Sequence, residues 1–324
     1  MYAPESISAA FSKAADDRNR ALSLAEERKE KIEKELPRTA VIASLLSQIG
    51  ASIAKTFYAQ NPEESVEALA AQSLNLQEER KALLKAAGYP EDYLDPPFHC
   101  AVCKDTGRVN GKICACIKKR AIEHSLEALS KYSPSKKCSF ESFSLNYYKN
   151  LTDKNGKSVL QKTENNLNYL KAYCADFSEN SKSLYIFGKT GLGKTHLALS
   201  CAKEIISRGY YVVYGMAGQI FSSIEEEKFK GISGKYTMKT LLDADLLIID
   251  DLGSEFRTSF TASVVHNIIE SRLLASKPVI ITTNLDIGGI NKLYGERIAS
   301  RIIGEYEPIR FEGEDIRQLK KFQY

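Results

Sequence analysis

The sequence predicts an α/β protein in which a parallel sheet is covered by helices, preceded by an α-helical N-terminal domain with a cysteine hairpin. Short apolar runs alternate with helical patterns in the C-terminal half, at residues 184–187, 211–214, 246–249 and 279–282. Strands that alternate with helices are typical of a parallel sheet buried on both faces. Helical patterns dominate the N-terminal part, and four cysteines crowd together after it.

The N-terminal domain is predicted for residues 1–95 from the periodicity of its apolar residues. Residues 6–36 contain no helix breaker before Pro37, which predicts one long exposed helix. Two further helices are predicted before Gly88, after a segment with an apolar stripe at helical spacing. The stripe consists of Ile42, Leu45, Leu46, Ile49, Ile53 and Phe57. We expect it to be buried within this domain, and docking to another protein is the alternative.

The composition is that of a soluble globular protein. The 324 residues carry 45 basic and 41 acidic side chains, a formal net charge of +4. A charge so balanced does not by itself indicate a nucleic-acid-binding protein. The N-terminus lacks the basic and apolar regions of a signal peptide, and no stretch approaches the roughly 18 apolar residues of a membrane span. We therefore expect a cytoplasmic protein that does not associate with membranes.

A glycine-rich motif, G-x-x-x-x-G-K-T, follows the apolar run at 184–187 and precedes a helical pattern. Its residues are Gly188, Lys189, Thr190, Gly191, Leu192, Gly193, Lys194 and Thr195. Glycines let backbone N–H groups surround phosphate oxygens, and the helix N-terminus adds partial positive charge. We expect Lys194 to contact the β and γ phosphates and Thr195 to bind Mg²⁺. The motif predicts an ATP site, and a glycine-rich turn that matches by accident is the alternative.

Paired carboxylates, Asp250 and Asp251, end the apolar run at 246–249. Asp250 is predicted to hold Mg²⁺ through water, and Asp251 to polarise the water that attacks the γ phosphate. A strand-end turn with aspartate caps is the alternative. Asn284 follows the next predicted strand, where a neutral amide can orient water without adding negative charge. Together these residues predict ATP hydrolysis.

Four cysteines surround a predicted hairpin: Cys100 and Cys103 form C-x-x-C, and Cys114 and Cys116 form C-x-C. Thiolates at such spacings on both sides of a turn are typical of a tetrahedral Zn²⁺ site. The pattern offers no open coordination position, so the predicted metal is structural. Four reduced thiols are the alternative, and His99 is a candidate to replace one ligand.

Composition also predicts the other domain boundaries. The hairpin and a following helix are predicted for residues 96–131, a linker without periodicity for 132–158, and the nucleotide-binding domain for 159–324. One segment of that domain mixes lysines with aromatic rings, as single-stranded DNA binding requires. Its candidate DNA contacts are Lys228, Phe229, Lys230, Lys235 and Tyr236. A mobile, lysine-solubilised loop is an equal alternative.

Several segments of the chain resemble a known family. GYPEDYL, CAVCKDTG with CAC, and CSFESFSL resemble bacterial replicative-helicase loaders of the DnaC and DnaI type. LLIIDDLG, IITTNL and GERIASRIIG resemble the core that these loaders share with the IstB-like transposition ATPases. The resemblance extends over nearly everything after about residue 75, whereas the preceding residues match no family specifically.

The resemblance implies an AAA+ domain that binds ATP and single-stranded DNA, and an N-terminal domain that docks on a hexameric replicative helicase. It also implies that Asn284 is the sensor 1 residue, that Arg301 reaches the ATP of a neighbouring subunit, and that Arg317 senses the γ phosphate in its own. An arginine supplied in trans implies a homo-oligomer. Most AAA+ proteins carry Glu where this chain has Asp251, which predicts slow, switch-like hydrolysis.

Two other functions fit parts of the pattern, an IstB-like transposition helper ATPase and a metabolic P-loop kinase. IstB-like chains generally lack the cysteine hairpin and the long helical domain. A kinase should carry an acceptor pocket and an arginine-bearing lid, which the sequence does not indicate. We therefore expect a helicase loader in DNA replication, with the transposition helper as the alternative.

Overall fold

The computed structural model describes residues 2–56, 62–131, 138–231, 237–256 and 258–321. The chain forms two compact units, one of residues Phe11–Ile117 and one that combines Met1–Ala10 with Lys118–Tyr324. Within the described ranges, no helix combines the length and the apolar character needed to cross a bilayer.

Long helices open the chain: α1 (Pro4–Glu35), α2 (Pro37–Thr56) and α3 (Pro62–Ala86). Pro37 ends the first helix as predicted and also begins the second, because proline at the first helical position loses no hydrogen bond. The two helices predicted before Gly88 form the single helix α3, which ends at Ala86, two residues before Gly88. Gly88 has the left-handed φ of 82° that commonly terminates a helix.

The apolar stripe of α2 is buried at two positions and half-buried at Leu45, Leu46 and Ile53. Helices α2 and α3 pack against each other, and Ile42 and Ile49 are buried. This agrees with an intramolecular role for the stripe, as expected for an apolar helix face. Phe57, the last residue of the predicted stripe, lies outside the described residues.

The predicted cysteine hairpin is formed by β1 (Arg108–Val109) and β2 (Lys112–Ile113), which pair antiparallel. Asn110 and Gly111 connect the strands with φ values of 49° and 76°. Two consecutive positive φ angles are typical of a tight hairpin turn, and Asn-Gly adopts them readily. Helix α4 (Ala115–Lys131) follows the hairpin.

A five-stranded, entirely parallel sheet forms the centre of the larger unit, with the strand order β4-β5-β6-β3-β7. Its strands are β3 (Ser183–Gly188), β4 (Val212–Met216), β5 (Leu246–Leu252), β6 (Val279–Thr283) and β7 (Tyr306–Phe311). The helices that alternate with these strands or flank them in the chain are α5 (Val159–Ala175), α6 (Lys194–Ser207), α7 (Ala217–Lys230), α8 (Met238–Asp243), α9 (Ser259–Leu274), α10 (Ile287–Tyr294), α11 (Glu296–Glu305) and α12 (Ile316–Lys321). The predicted fold class is confirmed.

Apolar layers cover both faces of this sheet. Successive residues of a strand point to opposite faces, so Leu184 and Ile186 of β3 belong to one core cluster and Tyr185 to the other. Strands buried on both faces read as continuous apolar runs in the sequence. The carboxyl ends of β3, β5 and β6 meet at one edge of the sheet, where the predicted site residues follow.

The linker predicted for residues 132–158 is wrong for its described part, 138–158. Phe140, Phe143 and Tyr148 are buried in the core of the larger unit, and a 3₁₀ helix spans Leu145–Tyr148. The segment lacks periodicity because its aromatic residues pack from an irregular backbone rather than from one helix face. Residues 132–137 lie outside the described residues.

Candidate functional site

The glycine-rich motif forms a loop between β3 and the first turn of α6, as the sequence predicts. Gly193 has a φ of 78°, and a Cβ atom at this position would lie 2.6 Å from the ring of Phe143. Only glycine therefore allows both this backbone conformation and the close approach of the ring. Tyr148, whose ring stacks on Phe143, donates from its hydroxyl to the carbonyl of Leu192 at 2.9 Å. Two aromatic residues of the segment predicted as a linker thus pack against the loop of residues 188–195, which we call the phosphate loop.

Lys194 is buried at the centre of this site, with 7% of its surface exposed. Its ammonium donates to the carbonyls of Gly188 and Lys189 at 2.8 and 2.7 Å, and to Oδ1 of Asn284 at 2.8 Å. Burial lowers the pKa of Lys194 to about 8, opposed by the nearby carboxylates of Asp251 and Asp250. The ammonium already holds three oxygen partners, so arriving phosphate oxygens would have to replace some of them.

Asp250 lies at the carboxyl end of β5 and is almost completely buried. It accepts hydrogen bonds from the hydroxyls of Thr195 at 3.1 Å, Tyr214 at 2.7 Å and Thr282. Three hydroxyl donors therefore satisfy the oxygens of this buried carboxylate. Asp250 and Thr195 together present hard oxygen ligands of the kind that Mg²⁺ binds.

Asp251 is positioned by an irregularity in the sheet. The register between β5 and β6 shifts between Ile249 and Leu252, and Asp251 adopts a left-handed φ of 56°. A non-glycine residue in this conformation is uncommon and costs on the order of 1 kcal/mol. The backbone N–H of Asp251 donates to the hydroxyl of Thr282 at 2.9 Å, and its Oδ1 accepts from Nδ2 of Asn284 at 3.0 Å. The turn therefore directs this carboxylate toward Asn284.

Sequence reasoning did not identify three side chains of this site: Thr282, Tyr214 and Tyr148. Thr282 lies on β6 next to β5, so the apolar run that ends in two threonines was the available signal. Tyr214 contacts Asp250 from β4, on the other side of β5. The sequence carried no signal for Tyr148, because nothing local indicates that its hydroxyl reaches the loop.

The two predicted arginines lie in different surroundings. Arg317 belongs to α12, close enough to Lys194 for its charge to lower the pKa of the lysine further. A cavity of about 800 Å³ opens beside the loop, and its lining includes Lys189, Asn284 and residues of α12. Arg301 belongs to α11, and its Nε donates to Oε1 of Glu270 at 2.8 Å. The structure thus brings Arg317 to the phosphate loop and pairs Arg301 with Glu270.

Part of the predicted DNA-contacting segment is exposed at the end of α7. The ammonium of Lys228 lies 5.6 Å from the ring centroid of Phe229 and 5.3 Å from that of Phe260, which the prediction did not include. Phe229 is 67% exposed, and Phe256 is 94% exposed. Lys235, Tyr236 and the side chain of Lys230 belong to the part of the chain that the structure does not describe.

The four predicted metal ligands converge. The sulfur atoms of Cys100, Cys103, Cys114 and Cys116 all lie within 4.8 Å of one another. No disulfide joins them. Backbone donation from Cys103 lowers the pKa of Cys100 to about 7, whereas burial raises the pKa of Cys103 and Cys116. A cation in this group would favour the thiolate form of every sulfur.

Asp105 organises the loop between the first two cysteines. Its carboxylate is 1% exposed and accepts from the backbone N–H groups of His99 at 2.8 Å and Cys100 at 3.0 Å. Lys104 and Asp105 both have positive φ angles, 48° and 57°, which form the tight turn. His99 lies near Asp105, with its Nδ1 4.0 Å from the carboxylate, and the group of mutually close donor atoms consists of the four thiols.

Residues 119–323 match the family of IstB-like ATP binding proteins. The replicative helicase loader DnaC of Escherichia coli K12 is 29% identical over 139 residues, which are 43% of this chain and 57% of that protein. DnaC of Buchnera aphidicola from Acyrthosiphon pisum is 28% identical over 155 residues, 47% of this chain and 63% of that protein. The match therefore spans less than two thirds of the length of these relatives.

Among solved structures, the crystal structure of the DnaC helicase loader is similar, with a TM-score of 0.45 and 22% identity. The match covers 54% of this chain and 97% of that one. The family match, by contrast, covers most of the chain and contains the phosphate loop, the paired aspartates and Asn284. The resemblance seen in the sequence is confirmed, and the chain belongs to the family of IstB-like ATP binding proteins.

Proposed function

We propose that this chain is an AAA+ ATPase that loads a replicative DNA helicase onto single-stranded DNA in the cytoplasm. The observation that supports the proposal is the connected set Lys194, Asn284 and Asp251, in which one amide contacts both the ammonium of Lys194 and the carboxylate of Asp251. The similarity to proteins named replicative helicase loaders gives the set its biological role.

In the proposed reaction, ATP binds to the loop through its backbone N–H groups and Lys194. Thr195 and Asp250 hold Mg²⁺, which supplies charge neutralisation to the phosphates. Asp251 orients the attacking water and accepts its proton. Asn284, which bonds to both Lys194 and Asp251, responds to the presence of the γ phosphate.

Hydrolysis in this site is slow. Asp251 has a shorter side chain than a glutamate, and Asn284 already occupies one of its oxygens. A slow ATPase is suited to timing an assembly step, because the ATP-bound state persists long enough for partners to act.

The active species is a homo-oligomer in which Arg301 reaches the ATP of a neighbouring subunit. Glu270 holds this arginine in the single chain through the 2.8 Å hydrogen bond. Arg301 is 42% exposed, so a second subunit has access to it. A cation supplied in this way stabilises the charge of the transition state and makes hydrolysis depend on assembly.

The four-cysteine cluster holds a structural Zn²⁺. Four thiols within 4.8 Å of one another provide the closed tetrahedral ligand set of such sites. Asp105 fixes the backbone that presents Cys100, which is the usual task of groups around a metal. Zinc would stabilise the short hairpin, which has only two two-residue strands to hold it.

Single-stranded DNA contacts the surface near Lys228 and Phe229, to which Phe260 and Phe256 contribute further rings. Exposed aromatic rings beside an ammonium provide stacking and charge together. The helical domain, residues 1–95, docks on the helicase.

An IstB-like transposition helper is the second candidate, because the matching family is defined by IstB-like proteins. The cysteine cluster and the long N-terminal helices favour the loader. A transposition helper should form no complex with the replicative helicase.

Mixing the purified chain with its host's replicative helicase, ATP and single-stranded DNA tests the proposal. Size-exclusion chromatography with light scattering should give a complex that contains both proteins. Lys194→Ala should abolish its dependence on ATP, while a thermal melt checks that the variant folds. The loader function is refuted if no helicase complex forms, and the nucleotide site is refuted if Lys194→Ala binds ATP unchanged.

A further inference from the structure

The chain that follows β7 closes on the phosphate loop. The backbone N–H of Ile316 donates to the carbonyl of Gly191 at 3.1 Å. A Cβ atom on Gly191 would lie 1.9 Å from Oδ1 of Asp315, so the carboxylate touches the loop where no larger residue fits. Gly191 also has a φ of 80°. The loop and the segment after β7 are therefore in direct contact at this glycine.

The same carboxylate begins helix α12. Oδ1 of Asp315 accepts from the backbone N–H of Arg317 at 2.9 Å. The backbone carbonyl of Asp315 accepts from the backbone N–H groups of Gln318 and Leu319. Aspartate is among the best residues for this capping position, because its side chain binds an N–H group that lacks a helical partner. Arg317 thus follows directly from a turn that Asp315 holds.

Helix α12 depends on this cap. Its bounds, Ile316–Lys321, give it fewer than two turns, and short helices are marginal without external support. Arg317 lies near enough to Lys194 to affect its pKa, so a small shift of α12 would change the distance from the guanidinium to bound phosphate. The contact with Gly191 and the cap together tie the arginine to the loop.

We propose that Asp315 is a positioning residue that places Arg317 beside the γ phosphate and thereby lets the site distinguish ATP from ADP. This inference rests on the proposed ATP site and on the proposed role of Arg317. Asp315 acts through its hydrogen bond to the backbone of α12, and its negative charge is not required.

Two variants of nearly equal size separate capping from charge. Asp315→Ser removes the charge but keeps a capping oxygen, whereas Asp315→Ala removes both. The affinities for ADP and for a non-hydrolysable ATP analogue are measured by calorimetry with each full-length protein, beside Arg317→Ala and the double variant Asp315→Ala/Arg317→Ala. Thermal melts check folding.

Arg317→Ala should lower the ratio of ATP-analogue to ADP affinity about tenfold, by loss of one charged contact. Asp315→Ala should lower the same ratio about fivefold, Asp315→Ser should stay within about twofold of the wild type, and the double variant should equal Arg317→Ala. The coupling between the two changes is the signature of positioning.

Several results would overturn the inference. A loss by Asp315→Ala that is equal for both nucleotides would mean that Asp315 only supports the loop, and Asp315→Ser behaving as Asp315→Ala would mean that charge matters. Additive effects in the double variant, or no effect of Arg317→Ala, would also refute it. Failure of the ATP site itself is recognised separately, because wild-type protein would then bind neither nucleotide.

Discussion

Nζ of Lys194 and Oδ1 of Asn284 lie 2.8 Å apart, across the gap between the phosphate loop and the end of β6. The other end of the same amide donates to Asp251 at 3.0 Å. One neutral side chain therefore contacts both the lysine that we propose to bind phosphate and the acid that we propose to orient water. If Lys194 exchanged its hydrogen bond with Asn284 for one with another group, the amide that also bonds to Asp251 would be free to move.

Asn284→Ala should reduce ATP hydrolysis by about 100-fold while ATP affinity changes less than about fivefold, because a preorganised transition-state contact is lost. Steady-state hydrolysis and nucleotide calorimetry measure the two effects. Asn291→Ala, an exposed change on the neighbouring helix α10, is the control. Equal losses in binding and turnover would contradict a role in orienting water.

ATP affinity should fall as the pH rises through about 8. Burial lowers the pKa of Lys194 to about 8, and bound phosphates would favour the charged form of this lysine. ATP should therefore bind the protein with a protonated Lys194, and a neutral Lys194 should take up a proton from solution when ATP binds. Affinity at about pH 9 should be roughly tenfold weaker than at about pH 7. Calorimetry in buffers of different ionisation enthalpy also detects the proton uptake, and an affinity that stays constant over this range would contradict it.

Tyr148→Phe should weaken ATP binding by about 2- to 10-fold, because it removes the hydrogen bond to Leu192 while it keeps the ring stacked on Phe143. Tyr210→Phe removes a comparable bond to Phe177 beyond the opposite end of α6 from the loop, and serves as the matched control. Both variants should lose similar thermal stability. If both also lost the same ATP affinity, the effect would be one of general stability.

Asp105→Ala should lower zinc affinity by about 10- to 100-fold, because the backbone N–H groups of His99 and Cys100 lose their acceptor and the metal-binding turn relaxes. Competition with a chromogenic chelator measures the affinity. Asp95→Asn removes an exposed carboxylate from the preceding segment and should have no effect. Wild-type protein without bound zinc after expression in zinc-supplemented medium would refute the metal site.

Arg272→Met should destabilise the protein by about 3 kcal/mol or more. The guanidinium of Arg272 is fully buried and donates to the carbonyls of Leu241, Ala244 and Pro278, which would lose their partner. Urea unfolding measures the loss. Arg310→Met removes the exposed partner of an ion pair with Glu312, which keeps its second partner Lys162, and should cost less than about 1 kcal/mol. Similar values for both variants would contradict this.

The sequence predicted those parts of the site that are written as contiguous motifs. The phosphate loop, Asp250, Asp251 and Asn284 each follow an apolar strand, and parallel strands bring their carboxyl ends to one edge. Tyr214 could not be predicted, because its place beside Asp250 depends on β4 lying next to β5, and local patterns do not contain strand order. The contact between Asp315 and Gly191 could not be predicted either, because it depends on β7 lying next to β3.

Segments without periodicity were the least predictable part of the fold. Residues 138–158 read as a linker because Phe140, Phe143 and Tyr148 follow no regular spacing, yet they fill the core beside the loop. The two helices predicted before Gly88 are one, because an asparagine within a helix resembles a helix start when tertiary packing is unknown. The cysteine spacing, in contrast, predicted the cluster without any knowledge of neighbouring elements.

The position of β3 in the sheet has a consequence for folding during synthesis on the ribosome. Both hydrogen-bonded neighbours of this strand come late in the chain, since β6 begins at Val279 and β7 at Tyr306. At common rates of translation, the strand that leads into the phosphate loop waits on the order of ten seconds for its partners. A nascent chain in this interval has the motif without its neighbouring strands, so we expect ATP to bind only after β6 and β7 have been synthesised.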